Sequence, residues 1–103
     1  MDYQLIVKFW RKSLDGEGFL TTIESDLRAV LGDLVTLDGY DISANEINLF
    51  VITPDPKHSF RRLKDVLETK GISHGVSAAF RAVGGAQFTS IWPLRATRKF
   101  KLP

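Results

Sequence analysis

The sequence predicts an α+β domain in which one antiparallel sheet carries two helices on the same face. Three observations support this fold class. Short runs rich in β-branched and aromatic residues alternate apolar and polar positions, as half-buried strands do. Two longer segments between these runs repeat apolar residues at helical spacing. The chain has 103 residues, 44% of them hydrophobic and 25% charged, which suits a single domain with a modest core.

The first strand and the first helix follow directly from residue spacing. Residues 3–10, YQLIVKFW, predict a strand because side chains alternate between the two faces of a sheet. The inner face would carry Tyr3, Leu5, Val7 and Phe9, and the outer face Gln4, Ile6, Lys8 and Trp10. Residues 19–31 repeat apolar side chains at helical spacing, and Gly32 is placed to end that helix.

The second strand is predicted over residues 34–42, with an interruption at Gly39. An isolated glycine inside a strand is typical of a β-bulge, which adds one residue and changes the alternation of faces. A bulge here would put four apolar residues on the core face, namely Val35, Leu37, Tyr40 and Ile42.

The third strand and the second helix are predicted next. Residues 47–53 alternate so that Ile47, Leu49 and Val51 would point inward. Asp55 followed by Pro56 is a typical helix start, because the carboxylate caps the first free N–H groups and proline suits the first turn. The helical stripe would hold Phe60, Leu63, Val66 and Leu67, and Gly71 would end the helix.

The end of the domain is predicted as a hairpin. Residues 76–83 form a fourth strand, Gly84-Gly85 predicts a two-residue turn, and residues 86–92 form a fifth strand. We therefore assign residues 1–93 to one domain and residues 94–103 to a basic C-terminal tail.

The order β-α-β-β-α-β, formed over residues 3–92, resembles the ferredoxin-like plait. That resemblance implies an antiparallel sheet with strand one between strands three and four. The predicted C-terminal hairpin strand, residues 86–92, is an addition to this plait. Residues 38–42 and 45–50 are also similar to small stand-alone bacterial proteins of uncharacterised function. This second resemblance brings no catalytic residue with it.

The charge balance separates the body from the tail. Of 14 Lys and Arg residues, four lie in residues 95–103, which contain no acid. The rest of the chain therefore carries ten positive and twelve negative side chains. A net acidic body argues against a nucleic-acid-binding domain, which usually has a basic face.

The composition also narrows the chemistry. Without cysteine there is no disulfide, no thiolate metal site and no cysteine nucleophile. No catalytic triad, phosphate loop or zinc motif is present, so we expect no enzymatic activity and no cofactor. No apolar run is long enough to span a membrane, and we expect a cytoplasmic protein.

The stretch GYDISANEINLFVIT, residues 39–53, concentrates polar side chains before it becomes apolar. If Ala44-Asn45 is the hairpin turn, Asp41 pairs with Asn48 and Gly39 with Phe50. Two carboxylates in this cluster are too few for a calcium loop, which needs six to eight oxygen ligands. A solvated hairpin end is the better interpretation.

The sheet face away from the helices is the candidate site. An uncovered face that mixes aromatic, apolar and charged groups is typical of an interface. The partner-binding residues predicted on or beside it are Lys8, Trp10, Asp41, Asn48, Phe50 and Arg81. The alternative interpretation is that the C-terminal hairpin and tail cover this face.

Three functional hypotheses follow. The leading one is a small interaction module that binds a protein partner or its own copy through the open face or a sheet edge, with a toxin-neutralising immunity protein as one version. The second is a nucleic-acid-binding plait that uses Trp10, Phe50 and the basic tail. However, the basic and glycine-aromatic signature of RNA-binding strands is missing from residues 45–53. A small-ligand sensor is the third.

Overall fold

The computed structural model describes residues 2–10, 18–32, 35–71 and 75–92, with the backbone alone for residues 18–22. The elements are β1 Tyr3–Trp10, α1 Gly18–Leu31, β2 Thr36–Ile42, β3 Glu46–Thr53, α2 Pro56–Thr69, β4 Val76–Ala82 and β5 Thr89–Trp92. The predicted tail, residues 94–103, lies outside the described residues.

The described strands form one five-stranded sheet in the order β2-β3-β1-β4-β5. Every neighbouring pair is antiparallel. The predicted α+β class is confirmed, and so is the position of β1 between β3 and β4. Within the described part of the chain, neither helix is long and apolar enough to cross a membrane.

The core lies between α1, α2 and the inner face of the sheet. On β1, Leu5, Val7 and Phe9 are almost fully buried, as the alternation predicts. Each faces a core residue across the β1–β3 pair, so the register places one apolar layer against the helices. The inner-face partners on β3 are Val51, Leu49 and Ile47. The helices contribute Ile23, Leu27, Phe60, Leu63 and Leu67.

The ends of α2 follow the sequence prediction. The Asp55 side chain accepts a hydrogen bond from the His58 N–H at 3.1 Å, which caps the free end of the helix. Beneath this first turn, the hydroxyls of Thr53 and Ser59 meet at 2.6 Å in a buried contact. The helix ends at Thr69 with Lys70 as its C-cap, and Gly71 adopts a φ of 72°, where glycine is favoured.

The predicted bulge in β2 is confirmed. The register with β3 shifts between Leu37 and Gly39, and Gly39 has a φ of 109°. After the shift, Tyr40 faces Leu49 and therefore shares the inner side of the sheet. The strand begins at Thr36, later than predicted.

The predicted two-residue hairpin between β4 and β5 is wrong. The Gly85 N–H donates to the Ala82 carbonyl at 2.8 Å, which closes a turn, but pairing resumes only with Phe80 opposite Thr89. Within this longer connection, Phe88 packs against the Arg81 guanidinium, whose carbon lies 4.8 Å from the ring centre. β5 is therefore shorter than the predicted segment of residues 86–92.

Candidate interaction site

The sheet face turned away from α1 and α2, here called the outer face, is buried at its centre. Ile6 and Ala79 are 0% exposed and Asn48 is 1% exposed. The expectation of a wholly uncovered face is therefore wrong, because these central positions have no access to solvent. The alternative, cover from the C-terminal hairpin, is consistent with the position of Phe88 beside Arg81.

The outer face is exposed at the end where β1 stops. Trp10, the last residue of β1, is 51% exposed and lies opposite Glu46 across the sheet. Asp41 is also exposed, on the edge strand β2, and it pairs with Asn48 as predicted. The β2–β3 turn that brings these strands together is closed by the Ser43 N–H, which donates to the Glu46 carbonyl at 2.9 Å.

A half-buried ion pair lies beside Trp10. Lys8 Nζ is 3.0 Å from Glu46 Oε2, and the two side chains are only 13% and 15% exposed. The strand register explains the contact, because Lys8 faces Asn48 and Glu46 is two residues earlier on the same face. Removing either charge would leave the other in poorly solvated surroundings, so the pair orders this part of the face.

Asn48 is the unusual residue of the cluster. Among the residues that the structure describes, neither Nδ2 nor Oδ1 of its amide has a hydrogen-bond partner. Buried amides are normally hydrogen-bonded, and an unpaired one lowers stability. Its neighbours across the strands are Lys8 and Asp41, both of which carry charge.

Phe50 lies away from this cluster. It pairs with Ile6 on one side and Gly39 on the other, and it is half-buried. Trp10 faces Glu46, four residues earlier on β3, which is about 13 Å along the strand. The two aromatic side chains therefore do not form one continuous stacking surface.

Arg81 belongs to the opposite end of the outer face. Its Nε donates to Gln4 Oε1 at 2.8 Å, and its guanidinium lies over the Phe88 ring. Gln4 is six residues before Trp10 on β1, roughly 20 Å at the rise of an extended strand. Arg81 thus holds β4 to β1 and is not brought together with Trp10.

The structure therefore groups four of the six predicted residues. We call this cluster the Trp10 end of the outer face, formed by Lys8, Trp10, Asp41, Glu46 and Asn48. Glu46 was missing from the predicted set. The predicted hairpin register was the available signal, because it places Glu46 two residues from Asn48 on the outer face.

Comparison with known proteins gives no relative from which a role could be transferred. No protein-family model matches the chain, and no curated protein or solved structure matches it either.

Proposed function

We propose that this protein is a small cytoplasmic interaction module without catalytic activity, and that it binds a protein partner through the Trp10 end of the outer face. The observation that carries the proposal is the 51% exposure of Trp10 on a rigid strand, next to the Lys8–Glu46 ion pair. We also assign the domain to the ferredoxin-like plait. The strand order β2-β3-β1-β4 with two helices supports that assignment.

A half-exposed tryptophan on a central strand is the kind of residue that contributes most of the binding free energy at a protein interface. Its large ring can bury much apolar area at little entropic cost, because the strand already fixes its backbone. The neighbouring charges would supply the polar rim that excludes water around such an anchor. Asp41 is exposed at one side of the cluster and adds an accessible carboxylate for a basic group of the partner.

The β2 edge suits binding less well. β2 carries the bulge at Gly39 and two exposed acids, Asp38 and Asp41. Bulges and charges on an edge strand hinder the addition of another strand. The outer face is therefore the better candidate for contact than this edge.

Nucleic-acid binding is the competing proposal, because Trp10 on the outer face of β1 is available for base stacking. Two observations weaken it. Phe50 is too far from Trp10 to continue the stack, and the chain outside residues 95–103 is net acidic.

The test compares two exposed apolar side chains at opposite ends of the sheet. Val83 is 58% exposed, and its N–H donates to Asp2, just before β1 begins. Trp10→Ala and Val83→Ala each remove an exposed apolar side chain, so both should fold like the wild type. Tagged versions of the three proteins are used to recover partners from a lysate of the source cells, with and without nuclease.

We expect a protein that survives nuclease treatment, is lost with Trp10→Ala and is retained with Val83→Ala. Purified partner should also shift the Trp10 fluorescence to shorter wavelength in a Trp92→Phe background, where Trp10 is the remaining tryptophan. Equal recovery by both variants would reject the Trp10 end as the contact. Recovery that depends on intact nucleic acid would favour the competing proposal.

A further inference from the structure

A groove on the helical side of the domain is separate from the Trp10 end. It runs between the C-terminal end of α1 and the length of α2, and it contains two adjoining cavities of about 420 and 430 Å³. Val30 of α1 and Arg62 of α2 line both cavities. We call this feature the helix groove. Its size lies within the range of about 300–1,000 Å³ that is usual for small-ligand sites.

The walls of the helix groove are largely apolar. Leu31 and Val35 line the first cavity, Val66 lines the second, and all three pack partly against the core. Because these side chains are anchored on α1, α2 and the segment before β2, the apolar surface is preformed. Such a surface favours a ligand with an apolar body.

The charge at the groove comes from Arg62. Three other cations on or at the ends of the two helices have acidic partners: Arg28 contacts Glu24 at 3.1 Å, Lys64 contacts Glu68 at 3.4 Å, and Lys70 contacts Asp26 at 2.7 Å. Lys57 and Arg61 have no such partner among the described residues, but neither lines the groove. Within the described ranges, Arg62 has no carboxylate at ion-pair distance, although it is exposed. A guanidinium of this kind can bind a carboxylate through two parallel hydrogen bonds.

Two acids also lie at the groove. Asp55 lines the first cavity, and its carboxylate accepts the His58 N–H at the N-terminus of α2, where the helix dipole partly offsets its negative charge. Asp65 lines the second cavity and not the first. An anionic group is therefore best accommodated in the first cavity, where Arg62 and His58 both form the wall.

We propose that the helix groove binds a small carboxylate with an apolar body. The carboxylate contacts Arg62, and the apolar part lies against Val30, Leu31 and Val35. This site is independent of the proposed protein contact, because it lies on the other side of the sheet and shares no residue with the Trp10 end.

The probe is octanoate, titrated into the ¹⁵N-labelled 103-residue chain and followed by NMR, with octanamide as the uncharged analogue. The largest amide shifts are expected at residues 29–32, 35, 58, 59 and 62, which line the first cavity. Arg62→Ala should weaken octanoate binding about tenfold, which corresponds to the loss of one charged hydrogen-bonded contact. Octanamide should bind the wild type more weakly by a similar factor.

Arg61→Ala is the matched control. Arg61 is also exposed and adjacent on α2, but it does not line either cavity. Its replacement should leave octanoate binding within about twofold of the wild type, since a change that small is under 0.5 kcal/mol. Equal weakening by both variants, shifts centred elsewhere, equal binding of octanamide, or no saturable binding of octanoate would each overturn the proposal. Dispersed spectra of both variants confirm that they are folded.

Discussion

Two adjacent residues of β3 show how the sheet assigns opposite roles to neighbouring side chains. Leu49 points to the helices and is 4% exposed, whereas Asn48 points to the outer face and is 1% exposed. The sequence predicts their opposite orientation from alternation alone. It does not predict that both are buried, because burial of the outer face depends on what the whole chain places there.

Leu49→Ala should lower the free energy of unfolding by about 2–5 kcal/mol, because it removes buried methyl groups and leaves a cavity. Urea denaturation measures the change. Ile42→Ala serves as the control, since Ile42 is on the same side of the sheet but is 45% exposed on the edge strand. Its loss should be much smaller. Similar losses for both variants would contradict the observed depth of the core.

Asn48→Leu should raise the free energy of unfolding by about 1 kcal/mol or more, because it replaces an unpaired buried amide with an apolar group of similar size. Thermal and urea denaturation measure the change. Asn45→Leu changes an exposed asparagine in the same hairpin and should have little effect. A marked loss of stability in Asn48→Leu would show that the amide makes a necessary hydrogen bond, for example to water.

At the scale of elements, β2 is shaped by one glycine. The bulge at Gly39 changes the parity of the strand, so that Leu37 and Tyr40 both lie on the inner side although they are three residues apart. The sequence predicts this bulge because the apolar residues before and after Gly39 differ in parity. They can all face the core only if the strand contains one extra residue. The positive φ of Gly39 is the local cause.

Gly39→Ala should lower the free energy of unfolding by about 1–3 kcal/mol, as expected for a non-glycine residue held in a rare backbone conformation. An added Cβ would meet no atom within 4 Å. The expected loss of stability therefore comes from the backbone conformation and not from a clash with neighbouring residues. Asp38→Ala, at the neighbouring exposed position, is the control and should change stability little. A neutral result for Gly39→Ala would mean that the bulge relaxes without cost.

At the scale of the whole molecule, the sheet has helices on one face and two edge strands. β2 forms one edge, and its exposed acids and bulge protect it from pairing with other chains. We therefore expect that contact with other molecules occurs through the Trp10 end and not through the β2 edge.

The Asp38→Val/Asp41→Val double variant should associate with itself more readily than the wild type, because it removes both edge charges and adds residues that favour strands. Sedimentation velocity over a range of concentrations measures the association. Thr36→Val, a substitution at the start of the same strand, controls for added apolar surface. An unchanged monomer in the double variant would show that the bulge alone protects the edge.

The sequence by itself determined the element order, the inner faces of β1, β2 and β3, the cap of α2 and the bulge at Gly39. Each of these depends on short-range patterns, such as alternation, helical spacing and the conformations open to glycine and proline. The hairpin at Gly84-Gly85 was the exception. Its two glycines permit a tight turn but do not require one, and Phe88 packs against Arg81 instead.

Only the tertiary structure decided which predicted site residues lie together. Trp10, Lys8 and Asn48 lie together at one end of the outer face, whereas Arg81 lies at the other end. The centre of the outer face is buried, and a groove lies beside Arg62 on the helical side. The physical reason is that burial and proximity across strands and helices depend on contacts between residues far apart in the chain. Local patterns fix the direction of a side chain, but not what it meets.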